Sequence, residues 1–311
     1  MTSDARGSRL DWAVFVALGV MWGSSYLFIK IGVETLTPFT LVAARLAIGA
    51  LLLIGVVAIA REPIPRSPRT YAHLVVMSVF SIVLPFSLIT WAEQSVASSL
   101  AAILTATVPL FVIVIAALAL RDEPMTVNRV VGLAIGFAGV VLLTGGGAPG
   151  GAGEPLALIA LIGAAVSYAI GAVYARRTIT GLRPMMPAVF QVTFALVISA
   201  GLALVFERPF ELRPSGEAIV SIVWLGLLGS GLAYLAFFRL LRTWGATRTS
   251  LVAYVMPAVG IVLGTLVANE PIDLRIVAGT LLVIGGIALV NSRIGRRELF
   301  VRSARTERAA G

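Results

Sequence analysis

Long apolar blocks alternate with short polar segments from residue 12 to residue 292. An apolar stretch of about 20 residues is long enough to cross a bilayer as a helix. Cutting the chain at this length predicts ten spans, with nine or eleven as alternatives because the boundaries near Glu93 and Glu217 are soft. The fold class expected is an all-α integral membrane protein. The predicted spans are 12–33, 37–60, 72–92, 97–119, 127–144, 155–175, 184–206, 217–238, 246–268 and 274–292.

Composition supports this class and excludes several kinds of function. Hydrophobic residues make up 59% of the chain and charged residues 13%, whereas soluble domains have about 45–50% and about 25%. The chain has no cysteine and one histidine, His73, which argues against thiol chemistry, metal sites and haem ligation. No P-loop motif is present, so ATP hydrolysis is not expected. We therefore predict no cofactor, no metal and no enzymatic activity.

The two halves of the chain share features at a nearly constant spacing. Lys30 precedes Arg176 by 146 residues, and Glu123-Pro124 precedes Glu270-Pro271 by 147. Such self-similarity indicates an internal duplication. Each half has five predicted spans, an odd number, so the copies should insert as inverted repeats, a plan of secondary transporters that bind substrate at the repeat interface. The expected regions are an N-terminal segment 1–11, a five-helix repeat 12–144, a Gly-rich linker 145–154, a second repeat 155–292 and a basic tail 293–311.

Basic residues concentrate on one side of the predicted spans. With a cytoplasmic N-terminus, Arg45 lies inside a span and only four of the other basic residues fall on the far side: Lys30, Arg208, Arg213 and Arg275. Cytoplasmic segments carry the excess of Lys and Arg, so both termini are predicted to be cytoplasmic in a multi-pass protein of the cytoplasmic membrane. The net charge of +9 is thereby explained by the membrane, so no nucleic-acid partner is expected. The arginine-rich tail is expected to contact anionic lipids.

The first repeat opens with Trp22-Gly23-Ser24 and Lys30, followed by Arg45 in the second span and the turn Glu123-Pro124. This arrangement resembles the EamA family of the drug/metabolite transporter superfamily, whose five-helix unit has a W-G-S-x-x-x-x-x-K opening, an arginine in its second helix and a late G-E-P-like turn. Both repeats match, over about residues 13–292. The resemblance implies export of metabolites, often amino acids, or of drugs, through a central cavity. The second repeat departs from the opening motif, with Tyr168, Arg176 and Gln191 at the positions of Trp22, Lys30 and Arg45, and neither turn has glycine before its Glu.

Arg45 is the strongest candidate for a substrate contact. It lies roughly 10 Å into its span, counted from Pro38 at about 1.5 Å per residue. An arginine inside the bilayer costs at least ~2.5 kcal/mol on insertion scales and marks a functional site by default. The alternatives are that it reaches towards the interface or pairs with Glu34. Lys30 is also a candidate, although an i,i+4 pair with Glu34 would explain it equally well.

The other candidates are polar or aromatic residues within spans or at their ends. Packing, interface belts and interhelical hydrogen bonds use the same residue types. Pro109 and Pro257 occupy matching positions in the two repeats and are candidate hinges, with a merely shaped helix as the alternative. The glycines 132, 136, 139, 279, 285 and 286 are expected to permit close helix packing. The full set of predicted substrate-binding residues is Trp22, Ser24, Tyr26, Lys30, Arg45, Trp91, Thr105, Tyr168, Gln191 and Tyr254.

No Asp or Glu lies at the centre of a predicted span. A carrier that exchanges hydrophobic cations for protons would be expected to keep an acid there, so Lys30 and Arg45 favour neutral, zwitterionic or anionic cargo. We predict a secondary transporter that exports small polar metabolites, such as amino acids, by alternating access. Multidrug or cation efflux, metabolite uptake and a non-transporting membrane scaffold are the alternatives. A small-molecule substrate and membrane lipids are the expected partners, and a homodimer is left open.

Overall fold

Ten apolar helices form the chain in the computed structural model, which describes residues 8–120, 125–145, 154–179, 182–183, 185–292 and 298–300. The side chains of 246, 247 and 298–300 are outside this description. So are Glu123-Pro124, most of the predicted linker and tail, and residues 1–7. The helices are α1 Arg9–Gly32, α2 Pro38–Ala60, α3 Pro68–Ala92, α4 Ser98–Ala119, α5 Val127–Thr144, α6 Glu154–Thr178, α7 Met185–Phe206, α8 Gly216–Gly245, α9 Val252–Leu266 and α10 Leu274–Asn291.

The helix count confirms the all-α membrane fold. Of the ten helices among the described residues, nine are long and apolar enough to cross a bilayer, and α9 is a shorter apolar helix. Two boundaries differ from the prediction. α8 runs on through Arg239, which the sequence placed outside the span, and the Arg239 side chain pairs there with Asp11 of α1 at 3.2 Å. Gly245, in a left-handed conformation with φ 76°, kinks the chain there, and α9 begins only at Val252.

Several helices begin and end with recognisable local signals. Pro38 and Pro68 lie in the first turns of α2 and α3, where a missing N–H costs no hydrogen bond. The Asp273 side chain accepts from the Ile276 N–H at 2.7 Å at the start of α10. A two-stranded antiparallel pair, β1 Met125–Thr126 with β2 Glu298–Phe300, holds the segment after α10 beside the start of α5. The short polar segments of the sequence therefore do specify where the helices stop and restart.

Helix contacts follow a pattern that is preserved when the first five helices are exchanged for the last five. α1 packs on α8 and α9, and in the same way α6 packs on α3 and α4. α2 packs on α8 as α7 packs on α3. The pairs α2–α7, α4–α9 and α5–α10 each join equivalent helices of the two halves. This is the pattern expected for two related five-helix units that share one interior.

Glycines bring α5 and α10 into backbone contact. A Cβ placed on Gly286 would lie 2.5 Å from the Gly136 nitrogen, and one placed on Gly132 would lie 2.7 Å from the Gly286 oxygen. A Cβ on Gly139 would lie 2.8 Å from the Gly279 oxygen. The prediction of a packing role is wrong for Gly285, because an added Cβ there meets no atom within 4 Å. Gly285 and Gly286 are neighbours in sequence but project about 100° apart around the helix.

Candidate functional site

Arg45 of α2 is buried near the middle of the bundle, with 3% of its surface exposed. Its Nε donates to Ser230 Oγ of α8 at 3.2 Å, and its Cζ lies 4.4 Å from the centre of the Phe86 ring of α3. Gly229 leaves room for the guanidinium, since a Cβ there would lie 3.0 Å from Arg45 Nη2. Three helices from both halves of the chain thus hold one arginine side chain.

The guanidinium of Arg45 is poorly neutralised. A guanidinium has five N–H donors, and the bond to Ser230 is its single hydrogen bond among the described residues. No carboxylate in the described part of the chain lies within ion-pair distance of it. Because a buried cation without a partner is costly in an apolar interior, these donors are suited to an anionic or carbonyl group that enters from outside the protein.

Three tyrosines surround this cation. Tyr26 of α1, Tyr168 of α6 and Tyr234 of α8 all lie within electrostatic range of Arg45, as does Glu93. We call Tyr26, Arg45, Tyr168 and Tyr234 the central polar cluster, and Glu93 lies beside it. Its members come from both halves of the chain, so the cluster forms only when the two five-helix units pack together. Sequence analysis had identified Tyr26, Arg45 and Tyr168; it missed Tyr234 and Glu93.

The third helix of each half contains a π-helical segment at an equivalent position. These segments are Val79–Val83 in α3 and Leu225–Leu232 in α8. A π-helix shifts the hydrogen-bond register and is frequent at functional sites. Ser167 Oγ of α6 donates to the Phe80 carbonyl at 2.8 Å, and Trp22 Nε1 of α1 donates to the Gly229 carbonyl at 3.2 Å. In both cases the first helix of one half satisfies a carbonyl of the π-helix in the other half.

Trp22 and Ser24, two residues of the opening motif, lie between α1 and α8. The Trp22 ring packs against Phe237, with centroids 5.5 Å apart. Ser24 Oγ accepts from Trp224 Nε1 at 3.0 Å. Ser24 also separates the two helical segments of α1, Arg9–Gly23 and Ser25–Gly32. These contacts explain the motif as a joint between the two halves, beside the central polar cluster.

Lys30 contacts the segment between α3 and α4 instead of Glu34. Its Nζ donates to the carbonyl oxygens of Glu93 at 2.7 Å and Val96 at 2.9 Å. These carbonyls follow the end of α3, where the helix dipole favours a positive charge. Within the described residues Lys30 forms no ion pair with Glu34, so the i,i+4 alternative does not explain its position.

Glu93, which lies beside the central polar cluster, is the least expected of these residues. It immediately follows α3, in a segment that the sequence assigned to a connection between spans, yet 0% of its surface is exposed. Neither carboxylate oxygen has a hydrogen-bond partner among the described residues. Burial raises the pKa of the Glu93 carboxyl well above its usual range, while nearby Lys30 acts to lower it. The sequence signal available was only a single acid within an otherwise uncharged stretch from 72 to 120.

Two other carboxylates cap helices of the opposite half. Glu270 accepts the Ser98 N–H at 2.6 Å and the Ser99 N–H at 2.9 Å at the start of α4. Glu207, just after α7, accepts the N–H groups of Phe39 at 3.0 Å and Thr40 at 2.8 Å at the start of α2. A carboxylate at a helix N-terminus satisfies free N–H groups and complements the helix dipole. The Glu-Pro turn of the second repeat is therefore a contact that joins the repeats.

Comparison with known proteins agrees with this architecture. The sequence matches the EamA-like transporter family over residues 11–145 and 155–292. The chain belongs to the EamA-like transporter family. Through that family it is a member of the drug/metabolite transporter superfamily.

Relatives of this EamA-like chain are named as transporters. It is 31% identical over 260 residues to the uncharacterized inner membrane transporter YedA of Escherichia coli K12, covering 83% of this chain and 82% of that protein. It is 28% identical to the uncharacterized transporter YvbV of Bacillus subtilis, covering 89% and 90%. A crystal structure that is 22% identical superposes with a TM-score of 0.66, covering 91% of this chain and 99% of the other, which supports the fold. The chain is therefore a multi-pass membrane protein of a transporter family.

The remaining predicted site residues of this EamA-like transporter do not all meet the central polar cluster. Thr105 is buried beside Tyr26 of the central polar cluster. Trp91 is 43% exposed on the surface of the bundle. Gln191 of α7 is buried, and no described hydrogen bond joins it to Arg45. The Tyr254 hydroxyl accepts from Asn291 at 3.0 Å, near the end of the bundle at which α1 begins.

The two candidate hinges differ in their local structure. α4 is interrupted at Ala106 and Thr107, and Pro109 lies in the first turn of the second segment, Val108–Ala119. Pro257 lies inside the continuous helix α9. Pro109 thus accompanies a break in the helix, whereas Pro257 lies within an uninterrupted helix. Their role as hinges stays a prediction. No group of three His, Cys, Asp or Glu residues within the described ranges is arranged to hold a metal ion.

Proposed function

We propose that this EamA-like protein is a secondary transporter that exports small polar metabolites, such as amino acids, through the space between its two five-helix units. The transport is proposed to be non-enzymatic and to need no cofactor. Both termini are placed in the cytoplasm on the strength of the arginine distribution, with cargo that is neutral, zwitterionic or anionic.

The observation that carries this proposal is the incompletely paired guanidinium of Arg45. One hydrogen bond, to Ser230 Oγ, uses one of its donors, and the phenol groups of Tyr26, Tyr168 and Tyr234 lie around it. Arginine forms paired hydrogen bonds with carboxylates because its planar donors match their geometry. A carboxylate of an amino or organic acid is therefore the group that best completes the site.

Alternating access is supported by the way in which the halves meet. Each extensive contact that a helix of the first half makes with the second half has an equivalent contact made by the matching helix of the second half with the first. Equivalent contacts can therefore form at either end of the bundle. α1 is interrupted at Ser24, and α4 at Ala106 and Thr107. Helix interruptions near a binding site supply the positions at which one repeat can rock against the other.

The test is transport into proteoliposomes. Labelled amino acids, organic acids and one lipophilic cation are offered to the purified protein, with and without a pH gradient. We expect transport of an amino or organic acid, loss of that transport in Arg45→Ala, and partial recovery in Arg45→Lys, which restores the charge but not the planar donors. Arg208→Ala is the matched control, because that side chain is exposed at the end of the bundle and its contact to Glu211 is 3.5 Å long.

Each alternative has a distinct result in this assay. Transport of the lipophilic cation alone would show that the cargo is cationic and refute the proposed cargo class. The cation is included in the panel because Glu93 is a buried acid. Amino or organic acid transport that Arg45→Ala leaves unchanged would refute the assigned role of Arg45. Protein that is correctly folded and inserted but moves no member of a widened panel would favour the scaffold alternative. Comparison of the two protein orientations in the vesicles separates export from uptake.

A further inference from the structure

Glu93 is a fully buried carboxyl group for which the transport site as proposed has no use. Its exposed fraction is 0%, and neither Oε atom accepts a hydrogen bond from the described residues. An ionised carboxylate that has lost its water and gained no hydrogen bonds is unfavourable in an apolar interior. Such a group takes up a proton more readily than one in water.

Besides burial, three nearby charged groups influence whether the Glu93 carboxyl is protonated or ionised. Lys30 of α1 and Arg45 of α2 favour its ionised form, and Glu270, in the segment before α10, disfavours it. The Tyr26 phenol is also within electrostatic range. Glu93 therefore interacts electrostatically with Arg45, with the α1 motif residue Lys30 and with Glu270, the carboxylate of the other half that caps α4.

The arrangement favours a proton over a metal cation at this position. The carbonyl oxygens of Glu93 and Val96 would be natural ligands for a metal cation, but Lys30 Nζ already donates to both. The described residues also contain no cluster of three metal-ligating side chains. A proton needs only one carboxylate oxygen, and both oxygens of Glu93 are free to accept it.

A cavity lies beside the charged partners of Glu93, although Glu93 itself does not line it. A cavity of about 280 Å³ is lined by Lys30, Glu34 and Glu270, together with apolar residues of α1 and of the segments around α4 and α9. Lys30 and Glu270, two of the four groups that act electrostatically on Glu93, thus line a cavity large enough for several water molecules. Proton exchange with the aqueous phase requires such a route, since the carboxyl itself has no exposed surface.

We propose that Glu93 is the proton-binding group that couples cargo movement to a proton gradient. The observed arrangement, in which Lys30 Nζ donates to the carbonyl oxygens after α3, is assigned to the form with protonated Glu93. Loss of the proton to water from the Glu93 O–H leaves a carboxylate that attracts the Lys30 ammonium away from those carbonyls. That exchange loosens the contact between α1 and the α3–α4 segment, and a proton taken up from the other side of the membrane restores it. This inference rests on the proposed transport function.

The first arm of the test needs no cargo. Infrared spectra of the lipid-reconstituted protein are recorded across a pH titration, and the C=O stretch of protonated carboxyl groups is followed. We expect a protonated carboxyl that persists at neutral pH in the wild type and is absent from Glu93→Gln, an isosteric neutral variant. Glu217→Gln is the matched control, because Glu217 is exposed at the start of α8. A neutral-pH carboxyl band that remains in Glu93→Gln overturns the assignment.

A second variant tests the role of Lys30. Lys30→Gln removes the cation that favours the ionised form, so the Glu93 carboxyl should stay protonated to a higher pH than in the wild type. An unchanged titration would refute the electrostatic link between the two residues. This variant also keeps the test decisive if Glu93→Gln is recovered in low yield.

The transport arm separates failure of coupling from failure of the proposed function. Using the panel of amino acids, organic acids and one cation, we expect the pH gradient to accelerate net wild-type transport but to have no effect in Glu93→Gln. Exchange of labelled for unlabelled cargo, which needs no net proton movement, should persist in that variant. Gradient-driven transport in Glu93→Gln would refute coupling and leave the transport function standing. Absence of transport in the wild type would overturn the function, while the infrared titration would still decide whether Glu93 binds a proton.

Discussion

The contact between α5 and α10 offers a sharp test of the fold, because two adjacent glycines of α10 have opposite surroundings. A Cβ added at Gly286 would lie 2.5 Å from the Gly136 nitrogen, 2.6 Å from the Gly132 oxygen and 2.7 Å from the Gly136 Cα. All three atoms belong to backbone, so no side chain can rotate away to make room. A Cβ added at Gly285 meets open space.

The two alanine substitutions should therefore change stability in opposite directions. Overpacking a tight contact costs about 1–3 kcal/mol, and backbone contacts place Gly286→Ala in the upper part of that range. Replacing a helical glycine with alanine gains about 0.5–1 kcal/mol. The net expectation is a loss of roughly 1–2 kcal/mol for Gly286→Ala and a gain of about 0.5–1 kcal/mol for Gly285→Ala.

The assay is unfolding of the purified protein by SDS in mixed micelles, followed by circular dichroism. The two variants differ by one methyl group at adjacent positions, so detergent binding and helix propensity are closely matched. Equal unfolding midpoints for the two variants, or a more stable Gly286→Ala, would refute the close approach of α5 and α10. Gly132→Ala provides an independent check from the other helix, where the added Cβ would lie 2.7 Å from the Gly286 oxygen.

Three further predictions test contacts between the halves by the same unfolding measurement. Ser167→Ala should lower the free energy of unfolding by on the order of 1 kcal/mol, because the Phe80 carbonyl loses its hydrogen-bond donor. Ser199→Ala is the control and should be neutral or stabilising, since the Ser199 hydroxyl is buried without a partner among the described residues. Equal losses of stability in the two variants would contradict this reasoning. Glu270→Gln should cost about 1–2 kcal/mol by weakening the charged cap on Ser98 and Ser99, with Glu211→Gln, an exposed side chain, as the unchanged control; a loss in the control alone would refute the capping argument. Asp11→Asn should weaken the contact of α1 with Arg239 slightly and in a salt-dependent way, and a loss that high salt does not reduce would show that charge pairing is not its cause.

The sequence by itself determined the membrane fold and the duplication, because both depend on local or regularly spaced features. Mean hydropathy over about 20 residues reports directly on the cost of placing a helix in a bilayer, and all ten predicted spans correspond to helices. Arg45 was identifiable because a charge inside an apolar block stands out wherever its partners lie. Tyr26 and Tyr168 were candidates because they are aromatic residues within predicted spans.

The partners of these residues depend on packing between segments far apart in the chain. Ser230 bonds Arg45 across 185 residues, and nothing in the local sequence around Ser230 indicates that contact. Glu93 was assigned to a connection because it follows a span, yet α1 and the Glu270 segment pack over it and remove it from water. Glu270 was recognisable as part of a turn, but its place at the start of α4 depends on how the second half docks on the first.

Tertiary structure therefore decided which polar side chains are buried and which of them find hydrogen-bond partners. The physical reason is that helix formation and membrane insertion are governed by short stretches of chain, whereas desolvation and hydrogen bonding of a side chain depend on every helix packed around it. Within the described part of the chain, the single hydrogen bond of the Arg45 guanidinium and the lack of a hydrogen-bond partner for the Glu93 carboxyl are both consequences of that packing.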